Sequence, residues 1–440
     1  MGPAMGAMAS GMGVMAKTFQ EWNPEQGEMF PATPLDMVEK GDLVHVIRNL
    51  VLEQVDLQEI MGQYREERGY PPFDPRMMTA LVLYSYCQGI YSSRRIARAC
   101  RQRVDYMALL GMQKPDFRTV NLFRQRHLKA LGGLFGQVLG LCAKAGLVKL
   151  GHVALDGTKM RANASKHKAM SYGRMKKAEV DLQAQVRRWF EKAERQDREE
   201  DALYGEDKSG DEMPAWVSDK QELLKRLQQA KGELEAEAKA EAEQEPDPDK
   251  TGHKPKPTGT PSDKAQRNFT DGDSRLMKSN EGFIQGYNAQ AAVDGYRQII
   301  VARTISNSGS DMHQMIPLLK QIKENLGRQA KEVSADSGYC SQRNLGQLQK
   351  RHIQGYVATD RQNKQRNVGR LVRQMRQRIR KAGWRTRYRL RKQIVEPVFG
   401  QIKTARGFRQ FLLRSQKKVA AEWSLLCTAH NLLKLAAVLR

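Results

Sequence analysis

Three carboxylates stand out because each ends or interrupts an apolar run. They are Asp156 in Val153-Ala154-Leu155-Asp156-Gly157-Thr158, Asp336 in Val333-Ser334-Ala335-Asp336-Ser337-Gly338-Tyr339, and Glu396 in Ile394-Val395-Glu396-Pro397-Val398-Phe399-Gly400. An acid at the end of a buried strand sits at the rim of a sheet, where α/β proteins place their chemistry. Three acids brought together repel one another, so the cluster makes most sense with cations present. Carboxylate oxygens suit Mg²⁺ and Mn²⁺, and Mg²⁺ takes only one or two from protein while phosphates supply others. Two such ions, about 3.5–4 Å apart, act on the attacking and the leaving oxygen of an in-line phosphoryl displacement. We read Asp156, Asp336 and Glu396 as one metal-binding cluster for that chemistry.

Elements able to position these acids follow from the apolar periodicity. Residues 147–156 read as a strand ending at Asp156. Residues 282–294 and 297–302 read as a hairpin turned at Asp294-Gly295, which makes Asp294, a rival second acid, structural. Asp311 reads as the cap of a helix carrying Met315, Ile316, Leu318, Leu319 and Ile322. A strand at 331–335 ends at Asp336, a helix spans 341–351, and a further strand spans 353–358. Glu332 and Glu422 are rivals for the third acid. Residues 361–392 hold many Arg and Lys and no acid, and would bring DNA backbone to the metals. The last helix, 419–439, is apolar enough to be core.

Upstream, 43–51 has helical spacing, and Asp74 before Pro75 suits the cap of a nearly all-apolar helix at 77–88. Ser92 or Ser93 caps the next helix, and a basic helix follows at 120–131. Short helices with basic faces suit phosphate or major-groove contact, and Arg94, Arg95 and Arg124 are read among the exposed DNA-binding residues. Long charged helices at 171–196 and 220–242 form an antiparallel coiled-coil hairpin with Leu223, Leu227, Ala230, Leu234 and Ala238 on its seam. The Pro-, Asp- and Lys-rich stretch 243–266 reads as disordered. Dimer contact and DNA clamping both remain open for this insertion.

Composition agrees with a polyanion as partner. The 440 residues carry 74 Lys and Arg against 49 Asp and Glu, a formal net charge of +25. Five scattered cysteines without a C-x-x-C pair read as core residues in a reducing compartment, and the first 17 residues as a flexible tail rather than a signal peptide. No apolar run of membrane-spanning length occurs, so the expected setting is cytoplasmic and nucleoid-associated, with no membrane partner. There is no phosphate loop ending in Gly-Lys-Ser/Thr and no His-Glu-x-x-His. His45-Val46-Ile47-Arg48 has no arginine before it, against a tyrosine recombinase.

The element order, strand, hairpin, helix, strand, helix, strand, with acids on the first strand, the fourth strand and a late helix, is the ribonuclease-H-like arrangement. Its first and fourth strands are neighbours. The chain then resembles the bacterial insertion-sequence transposases of the DDE type. Leu155-Asp156-Gly157-Thr158 is similar to their first-acid motif, Ala335-Asp336-Ser337-Gly338-Tyr339 to the second, and Val395-Glu396-Pro397-Val398-Phe399-Gly400-Gln401-Ile402-Lys403 to the third. Tyr70-Pro71-Pro72-Phe73-Asp74-Pro75 through Ile96, with 115–124, resembles their N-terminal domain. The family signature spaces Tyr, Arg, Glu and Lys around the last acid. Tyr388 and Arg391 keep their mutual spacing, as do Glu396 and Lys403, but one extra residue separates Arg391 from Glu396, so Lys392 is an alternative to Arg391.

The resemblance implies binding to terminal inverted repeats of an element as a homodimer or higher assembly, and metal-dependent cleavage and strand transfer on double-stranded DNA. It implies two ions of Mg²⁺ or Mn²⁺ on Asp156, Asp336 and Glu396, with Lys403 and Arg391 or Lys392 on phosphates. The expected architecture is an α/β ribonuclease-H-like domain with a mixed five-stranded sheet flanked by helices (147–170 and 271–440). It is joined to a tail (1–30), an all-α DNA-binding domain (31–146) and the helical insertion (171–270). A ribonuclease-H-fold nuclease that cuts without joining, and an inactive DNA-binding regulator, are the alternatives.

Overall fold

In the computed structural model the described residues are 33–64, 71–204, 215–243, 259–279, 282–359 and 369–439. The N-terminal region is helical: α1 (Leu43–Asn49), α2 (Gln58–Met61), α3 (Pro75–Cys87), α4 (Ser93–Gln102), α5 (Val104–Leu110), α6 (Phe117–Arg126) and α7 (Leu128–Lys144). Asp74 caps α3 as its position before Pro75 implies, accepting from Arg76 N at 2.7 Å. Apolar on every side, α3 is buried from Met78 to Cys87. Ser92 precedes α4 without a side-chain capping bond.

The remaining elements are β1 (His152–Arg161), β2 (Ala169–Ser171), α8 (Tyr172–Tyr204), α9 (Ala215–Glu243), β3 (Gln266–Asn268), β4 (Arg275–Ser279), β5 (Gly282–Asp294) and β6 (Ile300–Ser306). They continue with α10 (Met315–Leu326), β7 (Glu332–Ala335), α11 (Gln342–Lys350), β8 (Gln354–Val357), α12 (Arg370–Ala382), α13 (Leu390–Gly400) and α14 (Gln416–Leu439).

The main sheet is mixed and has six strands where five are expected from the sequence. Its order is β4-β5-β1-β7-β8, with β6 also on β5. β5 gives one edge to β1 and divides the other, its first half pairing with β4 and its second with β6, all antiparallel. β1, β7 and β8 run parallel. Gly286 is required at the β1–β5 crossing, since a Cβ there would lie 2.3 Å from the Met160 carbonyl oxygen.

One hydrophobic core runs from Leu43 to Ala436, so the helical region has no core separate from the sheet. The link is α14, which packs on α3, α7 and β6. Its Asn431 behaves as an extra strand residue, accepting from Ile300 N and donating to Ile300 O, each at 2.9 Å. All five cysteines are buried and none is in a disulfide. A second, smaller cluster (Met175, Leu227, Ala230, Leu234) holds α8 against α9. Leu223, expected on that seam, is exposed instead. The expected disorder of 243–266 falls mostly on 244–258, outside the described residues.

Candidate active site

Parallel pairing sets Val153 beside Val333 and Leu155 beside Ala335. One residue further along each strand come Asp156 and Asp336. The register thus brings the two acids to the point where the β1–β7 ladder stops, although 180 positions of chain separate the paired residues His152 and Glu332. The expected strand 147–156 is corrected here: β1 begins at His152 and runs past Asp156 to Arg161, because β5 continues to pair with it after β7 has ended. β1 is buried on both faces through Leu155 and opens at Asp156. Asp336 caps a short turn, its Oδ1 accepting from Gly338 N at 2.8 Å.

Glu396 arrives on α13, whose Ile394, Val395, Val398 and Phe399 are buried and pack the helix against β1 and β5. Glu396 and Pro397 lie on its exposed side. The helix neither starts nor stops at Pro397. Proline has no N–H for the Gln393 carbonyl, and Gln298 Nε2 takes that place at 3.1 Å. Beyond Gly400 the helix widens into a π turn, Gln401–Ala405, so the two-turn α-helical spacing from Glu396 does not extend to Lys403. Lys403 Nζ instead donates to Lys159 O on β1 at 3.1 Å.

Arg391 is the residue that joins the acids. Its Nη1 donates to Asp156 Oδ2 at 2.6 Å and its Nη2 to Glu396 Oε1 at 3.4 Å. The five-residue offset along α13 is spanned by the length of the guanidinium side chain. Asp156 and Arg391 are largely buried, while Glu396 is 49% exposed. Burial pushes the Asp156 carboxyl up to about 6, Arg391 pulls it down, and the charges of Asp336 and Asp311 push it up. Tyr388 hydrogen-bonds Arg391. Lys392 is exposed, and Arg391 is the cation that reaches the acids. Among the described residues no three acids, histidines or cysteines converge as a ready metal cage.

The rival acids have other partners. Asp294 accepts from Leu150 N at 2.6 Å and Tyr296 N at 2.9 Å, a turn role. Glu332, at the start of β7, pairs with His152 at 3.0 Å and Arg387 at 2.9 Å. Glu422 is fully buried and accepts from Leu412 N and Leu413 N. Asp311 does not cap α10, whose N-cap is Gln314. It turns toward the sheet and accepts from Asn288 Nδ2 and Gln290 Nε2, each at 2.7 Å. Sequence reasoning missed this network. Its signal was Asn288 and Gln290, two amides on one face of a strand buried from Gln285 onward.

Among the basic residues, Arg94, Arg95, Arg98 and Arg101 are exposed on α4, and a shallow basic recess lined by Arg94, Arg98, Arg101 and Phe117 lies there. Arg124 is a correction. Only 5% exposed, it donates to Tyr91 O at 2.7 Å and lies against Ser93, so it is internal to the helical region rather than on its surface. The 361–392 stretch is helical over α12, which buries Val372 and Met375; residues 361–368 lie outside the described residues.

A family model described as a transposase DDE domain matches residues 249–432, a span that includes Asp336 and Glu396 and begins after Asp156. A second, described as Transposase domain (DUF772), matches residues 33–126, from before α1 to the end of α6. No curated protein and no solved structure matches the chain.

Proposed function

Since this chain belongs to the DDE-type insertion-sequence transposases, we propose that it binds the terminal inverted repeats of its element, then cuts and joins DNA there. We take Asp156, Asp336 and Glu396 as the acids of the site. The observation that carries this reading is the β1–β7 register, which brings Asp156 and Asp336 to the point where that ladder stops, with Arg391 bonded to Asp156. The strand order β6-β5-β1-β7-β8, antiparallel then parallel, supports a ribonuclease-H-like catalytic domain over 147–170 and 271–440. The exposed arginines of α4, within 31–146, support DNA contact by the helical region.

The donor set fits a hard divalent cation, Mg²⁺ or Mn²⁺ and by the family's chemistry two of them. Each acid offers only oxygen, and the positive charge between Asp156 and Glu396 is supplied by a guanidinium. When bound, such ions lower the pKa of a water and stabilise the leaving oxygen. In the reaction proposed, water attacks the phosphodiester at the element end, a proton is lost, and a 3′-hydroxyl leaves. That hydroxyl attacks a target phosphodiester in turn, forming one bond and releasing a target 3′-hydroxyl. Arg391 and Lys403 hold phosphates once DNA competes for them. The setting that follows is the cytoplasm, on chromosomal DNA, with two or more copies at paired ends. None of the helices among the described residues is long and apolar enough to cross a membrane.

The test is cleavage of a labelled element-end duplex with Mg²⁺ or Mn²⁺, wild type against Asp336→Ala. Metal-dependent nicking and joining, abolished by the substitution, support the reading. Cutting without joined product indicates a nuclease, and binding without cutting a regulator. Equal nicking by both proteins removes Asp336 from the site.

A further inference from the structure

Gly157 and Gly338 each follow a motif acid closely, and Asp311 lies close to both, beside Gln290 Nε2, which a Cβ on Gly157 would meet at 2.1 Å. A Cβ on Gly157 would lie 2.7 Å from Asp311 Oδ1, and one on Gly338 would lie 3.1 Å from Asp311 Oδ2. The Gly338 position is also 2.9 Å from Asp336 Oδ1, so the carboxyl groups of Asp311 and Asp336 border one small space. Asp311, with Gln290 beside it, is thus seated between the middle of β1 and the turn after β7, where glycine at both positions leaves room.

Its seat is built from buried polar groups. Asp311 Oδ1 accepts from Asn288 Nδ2 and Gln290 Nε2, each at 2.7 Å, and from Lys159 Nζ at 3.3 Å. Asn288, Gln290 and Tyr339 are fully buried. Gln290 Oε1 accepts from the Tyr339 hydroxyl, and Gln290 Nε2 also donates to Asn288 Oδ1 at 3.0 Å. The loop is pinned from outside as well, because Asn344 Nδ2 donates to Met312 O at 2.6 Å. Among the described residues these donors converge on Oδ1, which leaves Oδ2 toward Gly338 and Asp336. A brace of amides this well satisfied orients its carboxylate without competing for the second oxygen.

We propose that Asp311 is a positioning residue of the catalytic site, a fourth carboxylate whose charge, oriented by Asn288, Gln290 and Lys159, strengthens divalent-cation binding by the Asp156–Asp336 pair. This rests on the metal-dependent reading of that pair. Lys159 opposes the effect by neutralising part of the Asp311 charge. The two residues therefore act with opposite sign, which damage to packing would not produce.

The experiment is Mn²⁺ titration of the full chain without DNA, followed by electron paramagnetic resonance, with melting temperature measured alongside. Asp311→Asn keeps an oxygen for the amides and removes the charge. Its Mn²⁺ affinity is expected to fall about 10–100-fold. Lys159→Met is expected to bind Mn²⁺ more tightly than wild type. Unchanged affinity in Asp311→Asn, or weakening in both variants, overturns the proposal. Should Asp311→Asn not fold, Lys159→Met decides alone: tightening supports the role, and no change or weakening ends it. Asp336→Asn distinguishes the two levels, since wild-type Mn²⁺ binding by that variant would defeat the metal reading of the site itself.

Discussion

Arg391 and Asp156 are 235 positions apart in the chain, and their side chains meet at 2.6 Å in a largely buried ion pair. The same guanidinium reaches Glu396 at 3.4 Å. A buried carboxylate needs a positive partner, and in the protein alone Arg391 is that partner.

Arg391→Met follows directly. Losing the guanidinium leaves Asp156 buried with no charge partner, while half-exposed Glu396 is partly screened by water. We expect a loss of roughly 2–3 kcal/mol in the metal-free protein. Added Mg²⁺ should restore more stability to this variant than it adds to wild type. Thermal melts with and without Mg²⁺ check this, and equal shifts would detach Arg391 from the cation site.

Glu422 supplies a pH dependence away from the acids of the site. Burial pushes its carboxyl up to about 7, against pulls from the Leu412 and Leu413 amides and Arg124. A carboxyl whose folded pKa lies above its unfolded value favours folding while protonated. That contribution is complete below the ordinary range near 4.5 and is lost as pH rises through about 7. Glu422→Gln keeps an acceptor and does not titrate. Wild type should lose about 2.5 kcal/mol relative to this variant between pH 5 and pH 8. Urea melts across that range measure the difference, and a flat difference would contradict the burial argument.

The arginines of the helical region should separate by burial. Arg124→Met removes the donor to Tyr91 O and the charge near Glu422, so it should lower stability by about 2–4 kcal/mol. Arg98→Ala and Arg94→Ala, on the exposed face of α4, should melt as wild type does. Each should weaken binding to element-end DNA and reduce the salt slope by about 0.9 if its phosphate contact is lost. Binding titrations at several salt concentrations, beside melts, show which residue belongs to which class. Lost stability in Arg98→Ala without a change in slope would contradict the assignment.

Much of this was legible in the residues. The apolar run stopped by Asp336 located the end of β7, and the run before Asp156 marked where β1 ceases to be buried on both faces, although the strand itself runs on to Arg161. Asp74 before Pro75, Asp294-Gly295, and the apolar-rich helices α3 and α14 were readable because capping, turns and burial are local or compositional. A family match followed from motifs that lie within such elements.

Other features depend on register and reach, which no single segment encodes. Only pairing of β1 with β7 brings Asp156 beside Asp336, and only the packing of α13 on that sheet brings Arg391 onto Asp156 while it reaches Glu396 across an offset the helical period disfavours. Arg124 looked like surface because its own helix is basic, yet contacts with Tyr91 and Ser93 bury it. Asp311 looked like a cap because it precedes a helix, and the fold turned it inward to amides 23 and 21 positions away. The sequence by itself determined which residue types were present and which elements would bury them. The tertiary structure decided which charges became neighbours, because distance between side chains is set by strand register and helix packing rather than by position in the chain.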